Sequence, residues 1–175
     1  MPEPVISTLS GDELDRHIGE LGALLHACVH AGANINFVLP FLRDDAEAFW
    51  RSKVLPTVRD GGRVLWVARL DDAIVGSVQL DRDMPPNQPH RAEVTKLLVH
   101  PDVRRRGIAR ALMAELHRHA RDLGRTLITL DTRTGDKAEP LYASLGYRTA
   151  GIIPDFCRDP AEDRLHPTTI MYKAL

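Results

Sequence analysis

The sequence predicts a mixed α/β domain built around a central sheet, and three of its features support this fold class. Residues 94–99 form a largely apolar run that ends before Pro101, as in a strand covered on both faces. Apolar residues at helical spacing follow in residues 107–123, and Gly124 can end that helix in a left-handed conformation. Residues 125–132 then predict another strand. Two strands joined by a helix form a parallel βαβ unit with a right-handed crossover.

The part of the chain before this unit predicts one strand, two helices and a hairpin. Residues 5–9 suit a short strand, and Asp12 is a candidate cap for a helix that ends by Gly32. A second helix is expected over residues 43–59, with an interruption near Pro56. Residues 63–70 and 73–80 are rich in strand-forming side chains, and the two aspartates between them suit a turn.

Residues 84–90 contain three prolines and are expected to form a loop that leads into the 94–99 strand. The part of the chain after the unit predicts a short helix and two strands. A short helix is expected over residues 137–145, ended by Gly146, and a strand over residues 147–152. Residues 154–168 are interpreted as a long loop, and residues 170–175 as the last strand. The prediction is therefore a central mixed sheet with about four helices.

Composition limits the classes of protein to consider. A chain of 175 residues with 43% hydrophobic and 27% charged residues suits one globular domain, residues 1–175. The formal net charge of −1 gives no general attraction for polyanions. Cys28 and Cys157 provide no disulfide framework, and no run approaches the ~18 apolar residues of a membrane span. The N-terminus does not resemble a signal peptide. We therefore expect a cytoplasmic protein that does not act at a membrane.

The segment between the central strand and helix has the composition of an anion site. It contains Arg104, Arg105, Arg106, Gly107, Ile108 and Ala109. The first amides of a helix have no intrahelical partner, and small residues allow a ligand to approach the backbone. A diphosphate is a natural occupant of such a site. The alternative is that the glycine only opens the helix and the arginines are solvated. A nucleic-acid partner is not expected, because no aromatic residues are interleaved with the arginines.

Two motifs resemble the GNAT (GCN5-related) N-acetyltransferase superfamily. A strand, a His-Pro turn, the pattern Arg-x-x-Gly-x-Ala (104–109) and a helix resemble motif A, and residues 138–147 resemble motif B. Within the superfamily, the chain is most similar to the tabtoxin-resistance acetyltransferase group. Residues 91–99, 130–139, Pro154, Cys157 and 164–168 carry this similarity. The resemblance covers about residues 60–175 and implies a GNAT acyl-CoA N-acyltransferase fold.

The resemblance also implies a reaction. Acetyl-CoA would be the co-substrate, and the acceptor would be a primary amine of a small molecule, such as an amino-acid-like toxin. The alternatives are a protein or peptide N-acetyltransferase and a non-catalytic module that senses acyl-CoA. A homodimer is left open. Residues 30–38, between the first two helices, are interpreted as a surface loop, and a wall of the acceptor pocket is the alternative.

The resemblance assigns roles to individual residues. Backbone groups of Leu97, Leu98 and Val99 would hold the pantetheine arm. Residues 104–109 would hold the diphosphate, and Tyr142 would contact the cofactor and protonate the leaving thiolate. Glu93 and Asp131 are the candidates for the base and for attracting a cationic acceptor, although either could be an ordinary solvated carboxylate.

Four further positions complete this set of predictions. His166 is a candidate contact of the acceptor, although a lone histidine is more often structural. Gly135 stands where many members of the superfamily have an asparagine that holds the pantetheine arm. No metal site is expected, because His26 and His30 lack a third ligand.

Overall fold

The computed structural model describes residues 3–175, and a seven-stranded sheet runs through it. The strands are β1 (Val5–Thr8), β2 (Arg63–Leu70), β3 (Ala73–Asp81), β4 (Arg91–Val99), β5 (Leu127–Arg133), β6 (Arg148–Arg158) and β7 (Leu165–Ala174). The helices are α1 (Gly11–Arg16), α2 (Ile18–His30), α3 (Arg43–Phe49), α4 (Leu55–Arg59), α5 (Ile108–Asp122) and α6 (Ala138–Ser144). None of the helices within these residues is both long enough and apolar enough to cross a membrane.

The sheet has the order β1-β2-β3-β4-β5-β7-β6, and its neighbours pair antiparallel except for β4 and β5. These two central strands are parallel and are joined by α5, so the predicted βαβ unit is confirmed. The predicted hairpin is also present as β2 and β3. The mixed α/β class follows directly from this arrangement.

Two apolar clusters cover the two faces of the sheet. The first, which we call the α2 face, contains buried side chains of α2, of the π-helical segment Trp50–Val54 and of β2, including Leu21, Leu25, Trp50, Leu65 and Val67. The Trp50 indole is fully buried and donates to the Leu21 carbonyl oxygen at 2.9 Å. On the second, the α5 face, Leu112, Met113, Leu116, Val78 and Leu80 lie in one cluster. Each cluster has its own helices, so the two faces of the sheet are lined by different side chains.

The first two predicted helices are present, but each is divided. The cap of α1 is Ser10 rather than Asp12, because Ser10 and Glu13 form a reciprocal capping box. His17 separates α1 from α2. The second helix contains the π-helical segment Trp50–Val54 between α3 and α4. Pro56 lies in the first turn of α4, where its missing amide hydrogen has little consequence.

The prediction of a long loop over residues 154–168 is wrong. Strand β6 continues to Arg158 and β7 begins at Leu165, so most of this segment is a β-hairpin. Pro154 is tolerated because β6 is the edge strand of the sheet and needs no further donors there. A register shift between Ile153 and Cys157 contains Asp155 at a φ of 50°. Because of this irregularity, this part of the strand was not recognised from the sequence pattern.

Candidate active site

A gap opens between the two parallel strands β4 and β5. They pair only at Arg91–Leu127, Ala92–Ile128 and Glu93–Thr129, and beyond these three positions they separate. Residues 94–99 therefore have a strand partner on the β3 side alone. A ligand can bind along the exposed edge of β4 as an added strand would.

A bulge shapes the part of β4 that faces this gap. Ser77 pairs with Leu98, but Gln79 pairs with Thr95, so one residue of β3 stands opposite two residues of β4. The His100 amide donates to the Val75 carbonyl oxygen at 2.8 Å, towards β3. Because successive amides of a strand point in opposite directions, the Val99 amide points into the gap.

The N-terminus of α5 meets the far end of the gap. Its cap residue Gly107 has a φ of 76°, and no side chain caps the helix. The first backbone hydrogen bond of the helix is donated by the Ala111 amide to the Gly107 carbonyl oxygen at 2.9 Å. Residues 108–110 come before that bond and line the adjoining cavity. Their amides, together with the positive end of the helix dipole, suit an anionic group.

A cavity of about 690 Å³ joins the gap to the N-terminus of α5. Its wall includes residues 31–36, 94–99, 107–110, 131–133 and 136–138, together with Cys28, Arg104, Arg105, Leu141, Tyr142, Phe156, Cys157 and Thr168. Most of the predicted site residues therefore line one space. The interpretation of residues 30–38 as a plain surface loop is wrong for residues 31–36, which line the cavity. The alternative of a pocket wall matches their position.

Tyr142 lies on α6, is 6% exposed and reaches the cavity wall. Its ring packs edge-on against Tyr147, with centroids 5.6 Å apart. Burial raises the pKa of the Tyr142 hydroxyl, and the nearby carboxylates of Asp136 and Asp131 raise it further. The hydroxyl therefore keeps its proton at neutral pH, which a proton donor requires.

The structure separates the two candidate carboxylates. Asp131 lies in the cavity wall and accepts a hydrogen bond from the Thr168 hydroxyl at 2.9 Å. Glu93 is absent from the cavity wall and occupies the last paired position before the strands separate. An ion pair of 3.3 Å joins its carboxylate to Arg91. Of the two, Asp131 is the one that faces the space where a ligand can bind.

Two other predicted residues lie outside the cavity wall. Arg106 is exposed and does not line it, whereas Arg104 and Arg105 do. His166 does not line the cavity, and a hydrogen bond of 2.7 Å joins its ring to the Asp159 carboxylate. Hydrogen bonds from the Ala161 amide and from His166 are the main reasons that the pKa of Asp159 falls to about 2. The ring of His166 therefore already has a strong hydrogen-bond partner outside the cavity.

The structure also explains the glycine at position 135. Gly135 adopts a φ of 78°, a conformation that glycine takes without penalty, and its amide donates to Glu139 at 2.7 Å. Its neighbours at 136–138 line the cavity, although Gly135 itself does not. The connection between β5 and α6 is therefore still directed at the cavity in this chain.

Lys96 was not predicted as a site residue, but it lies in the cavity wall at the bulge of β4. The signal was present, because a lysine is unusual in a strand that is covered on both faces. Within residues 3–175, no group of three or more His, Cys, Asp or Glu side chains could hold a metal ion.

Comparisons with known proteins agree with this geometry. An uncharacterised N-acetyltransferase from the hisH-hisA intergenic region of Azospirillum brasilense is 35% identical over 115 residues, covering 64% of this chain and 66% of that protein. N-acetyltransferase 8 of Homo sapiens is 37% identical over 92 residues, covering 51% of this chain and 40% of that protein. The chain thus spans less than two thirds of the length of either relative.

A solved structure extends the likeness to nearly the whole chain. The yncA protein of Salmonella typhimurium, determined with its cofactor acetyl-CoA, superposes with a TM-score of 0.75 over 99% of this chain and 95% of that one. The identity of 18% limits this likeness to the fold. The model of the acetyltransferase (GNAT) family matches residues 30–147, which is more than half of the chain. The chain therefore belongs to the acetyltransferase (GNAT) family.

Proposed function

We propose that this protein transfers the acetyl group of acetyl-CoA to a primary amine of a small molecule, by direct attack of the amine on the thioester. One observation carries the proposal. A single cavity contains the uncapped N-terminus of α5, the unpaired edge of β4, and the side chains of Tyr142 and Asp131. An acetyl-CoA-dependent transferase needs these groups close together.

The cofactor end of the cavity fits a diphosphate. The amides of residues 108–110 are available as donors, and Arg104 and Arg105 line the same wall. A Cβ built on Gly107 would meet no atom within 4 Å, so the surface in front of the helix is open. The pantetheine arm would then run along β4 past Leu97, Leu98 and Val99, because that edge has free backbone groups.

Acetyl transfer makes three chemical demands that the remaining residues can meet. The amine must lose a proton before its lone pair attacks the thioester carbon. The Val99 amide, which points into the gap, can stabilise the carbonyl oxygen as it becomes negative. When the carbon–sulfur bond breaks, the Tyr142 hydroxyl can give its proton to the thiolate. The raised pKa of Tyr142 means that the proton is available until that moment.

Asp131 is the better of the two candidates for the base. It faces the cavity, and its carboxylate would attract an ammonium and then accept a proton from it, directly or through a water. Glu93 could act only through intervening solvent, because it lies at the last paired position before β4 and β5 separate and its carboxylate pairs with Arg91. The similarity to the tabtoxin-resistance group supports an amino-acid-like acceptor and a role in resistance to such a toxin.

The test is a panel of amines incubated with purified protein and acetyl-CoA, with release of free thiol as the readout and mass spectrometry of the products. We expect thiol release that requires a small primary amine, together with the matching N-acetylated product. Faster acetylation of peptides than of small amines would instead favour a protein acceptor. Tight binding of coenzyme A without turnover of any acceptor would favour a sensor.

A further inference from the structure

The acceptor side of the cavity contains a lysine in an unusual position. Lys96 occupies the bulge of β4 at a φ of 50°, a left-handed conformation that is rare outside glycine. Such strain is often stored at functional sites. The side chain is partly buried in the cavity wall, and its ammonium nitrogen lies 5.7 Å from the ring centroids of both Phe37 and Phe49.

These two rings place Lys96 away from the cofactor end. Phe37 and Phe49 pack against the α2 face cluster, whereas α5 and its N-terminus pack on the opposite face. A cation on the α2 face is therefore poorly placed for a diphosphate at the start of α5. It is well placed for the acceptor, which must approach the thioester from another direction.

Lys96 also lacks a counter-ion. Within residues 3–175, no carboxylate lies within 4.0 Å of its ammonium group, and the group makes no hydrogen bond. Burial lowers the pKa of Lys96 to about 8, Arg63 lowers it as well, and Asp131 acts in the opposite direction. Arg63 is itself paired with Asp81 at 3.2 Å. Among the described residues, Lys96 has the Phe37 and Phe49 rings near its ammonium group but no ionic partner within 4.0 Å.

We propose that Lys96 binds a carboxylate of the acceptor, so that the substrates of this enzyme are amines that also carry a carboxylate. The inference rests on the proposed acetyl transfer and narrows its substrate class. Asp131, on the same cavity wall, would face the amino group while Lys96 faces the carboxylate. A partly buried charge gains most from a ligand that supplies the missing opposite charge.

The kinetic test uses α-amino acids, each paired with its own carboxamide, which keeps the amine and removes the negative charge. For wild type, we expect a higher kcat/KM for the acid than for the amide. In Lys96→Met, we expect the ratio of acid to amide to fall about 10- to 100-fold, as when one charge-assisted contact is lost. Comparing ratios between variants cancels the different basicity of the two amines. Lys96→Arg should restore part of the preference.

Controls separate this effect from a general loss of function. Lys53→Met makes the same chemical change at an exposed lysine outside the cavity and should leave the ratio unchanged. Affinity for coenzyme A should be the same in all variants. Lys96→Gln provides a second neutral side chain if the methionine variant does not fold. An unchanged ratio in the neutral Lys96 variants, with active enzyme, would overturn the proposal and leave the proposed function intact.

A binding measurement decides the proposal even if no amine is acetylated. N-acetylglycine and N-acetylglycinamide are titrated into the protein saturated with coenzyme A, with ligand-observed NMR as the readout. Wild type should prefer the acid, and Lys96→Met should not. Equal affinities in wild type would overturn the proposal.

The pH dependence of that binding gives an independent check. N-acetylglycine has no ionisable amine, and the charged groups that face Lys96 are Arg63 and Asp131. Deprotonation of Lys96 should therefore weaken N-acetylglycine binding as the pH rises through about 8. Binding that stays constant from pH 7 to pH 9 would contradict a role for this ammonium.

Discussion

Replacing Gly107 by aspartate is expected to abolish binding of coenzyme A, whereas asparagine at the same position should weaken it less than about tenfold. Both side chains tolerate the left-handed backbone that Gly107 adopts at a φ of 76°. Both also enter open space, because a Cβ at this position meets no atom within 4 Å. The two variants have nearly the same shape and differ in charge, so the comparison isolates electrostatics at the start of α5.

The size of the expected effect follows from Coulomb's law. A carboxylate about 4 Å from one unit of diphosphate charge costs roughly 4 kcal/mol at the effective dielectric constant near a protein surface. Even with partial screening, the dissociation constant should rise more than about 100-fold for Gly107→Asp relative to Gly107→Asn. Isothermal titration calorimetry with coenzyme A measures both. Equal affinity of the two variants would mean that the diphosphate binds elsewhere.

Replacing Tyr142 by phenylalanine is expected to lower turnover about 10- to 1,000-fold, the usual range for loss of a general acid. Affinity for coenzyme A should change little, because only a hydroxyl is removed and the ring remains packed on Tyr147. The effect should appear in kcat rather than in the KM for either substrate. The rate of thiol release at saturating acetyl-CoA and amine is the measurement.

The chain contains a matched control for this substitution. Tyr147 is also buried, and its hydroxyl bonds to His117 at 2.8 Å, but it does not line the cavity. Tyr147→Phe should therefore reduce thermal stability and leave turnover within about twofold, since a lost hydrogen bond contributes about 1 kcal/mol to folding. A Tyr142→Phe enzyme as fast as wild type would show that the thiolate leaves without help from this residue.

The central part of the fold could be predicted from the sequence because its patterns are strong and local. The apolar run of β4, the helical stripe of α5 and the glycines on either side of α5 each have one simple structural interpretation. The proposed anion site at Gly107 was predicted from the same segment. Local chemistry therefore located the proposed cofactor end of the cavity.

The proposed acceptor end of the cavity could not be predicted in the same way, because it depends on contacts between distant segments. The separation of β4 from β5 after Glu93 decides that Asp131, and not Glu93, faces the cavity. The bulge that turns Lys96 into the cavity depends on the register with β3. The continuation of β6 from Pro154 to Arg158 was missed for a similar reason, since Pro154 is tolerated only at the edge of the sheet.

The crystal structure of the complex with coenzyme A tests the central claim most directly. We expect the diphosphate within hydrogen-bond distance of the backbone amides at residues 108–110, and the pantetheine arm in the gap between β4 and β5. Coenzyme A bound at another surface, with the start of α5 in contact with solvent, would contradict the proposed site and the reaction inferred from it.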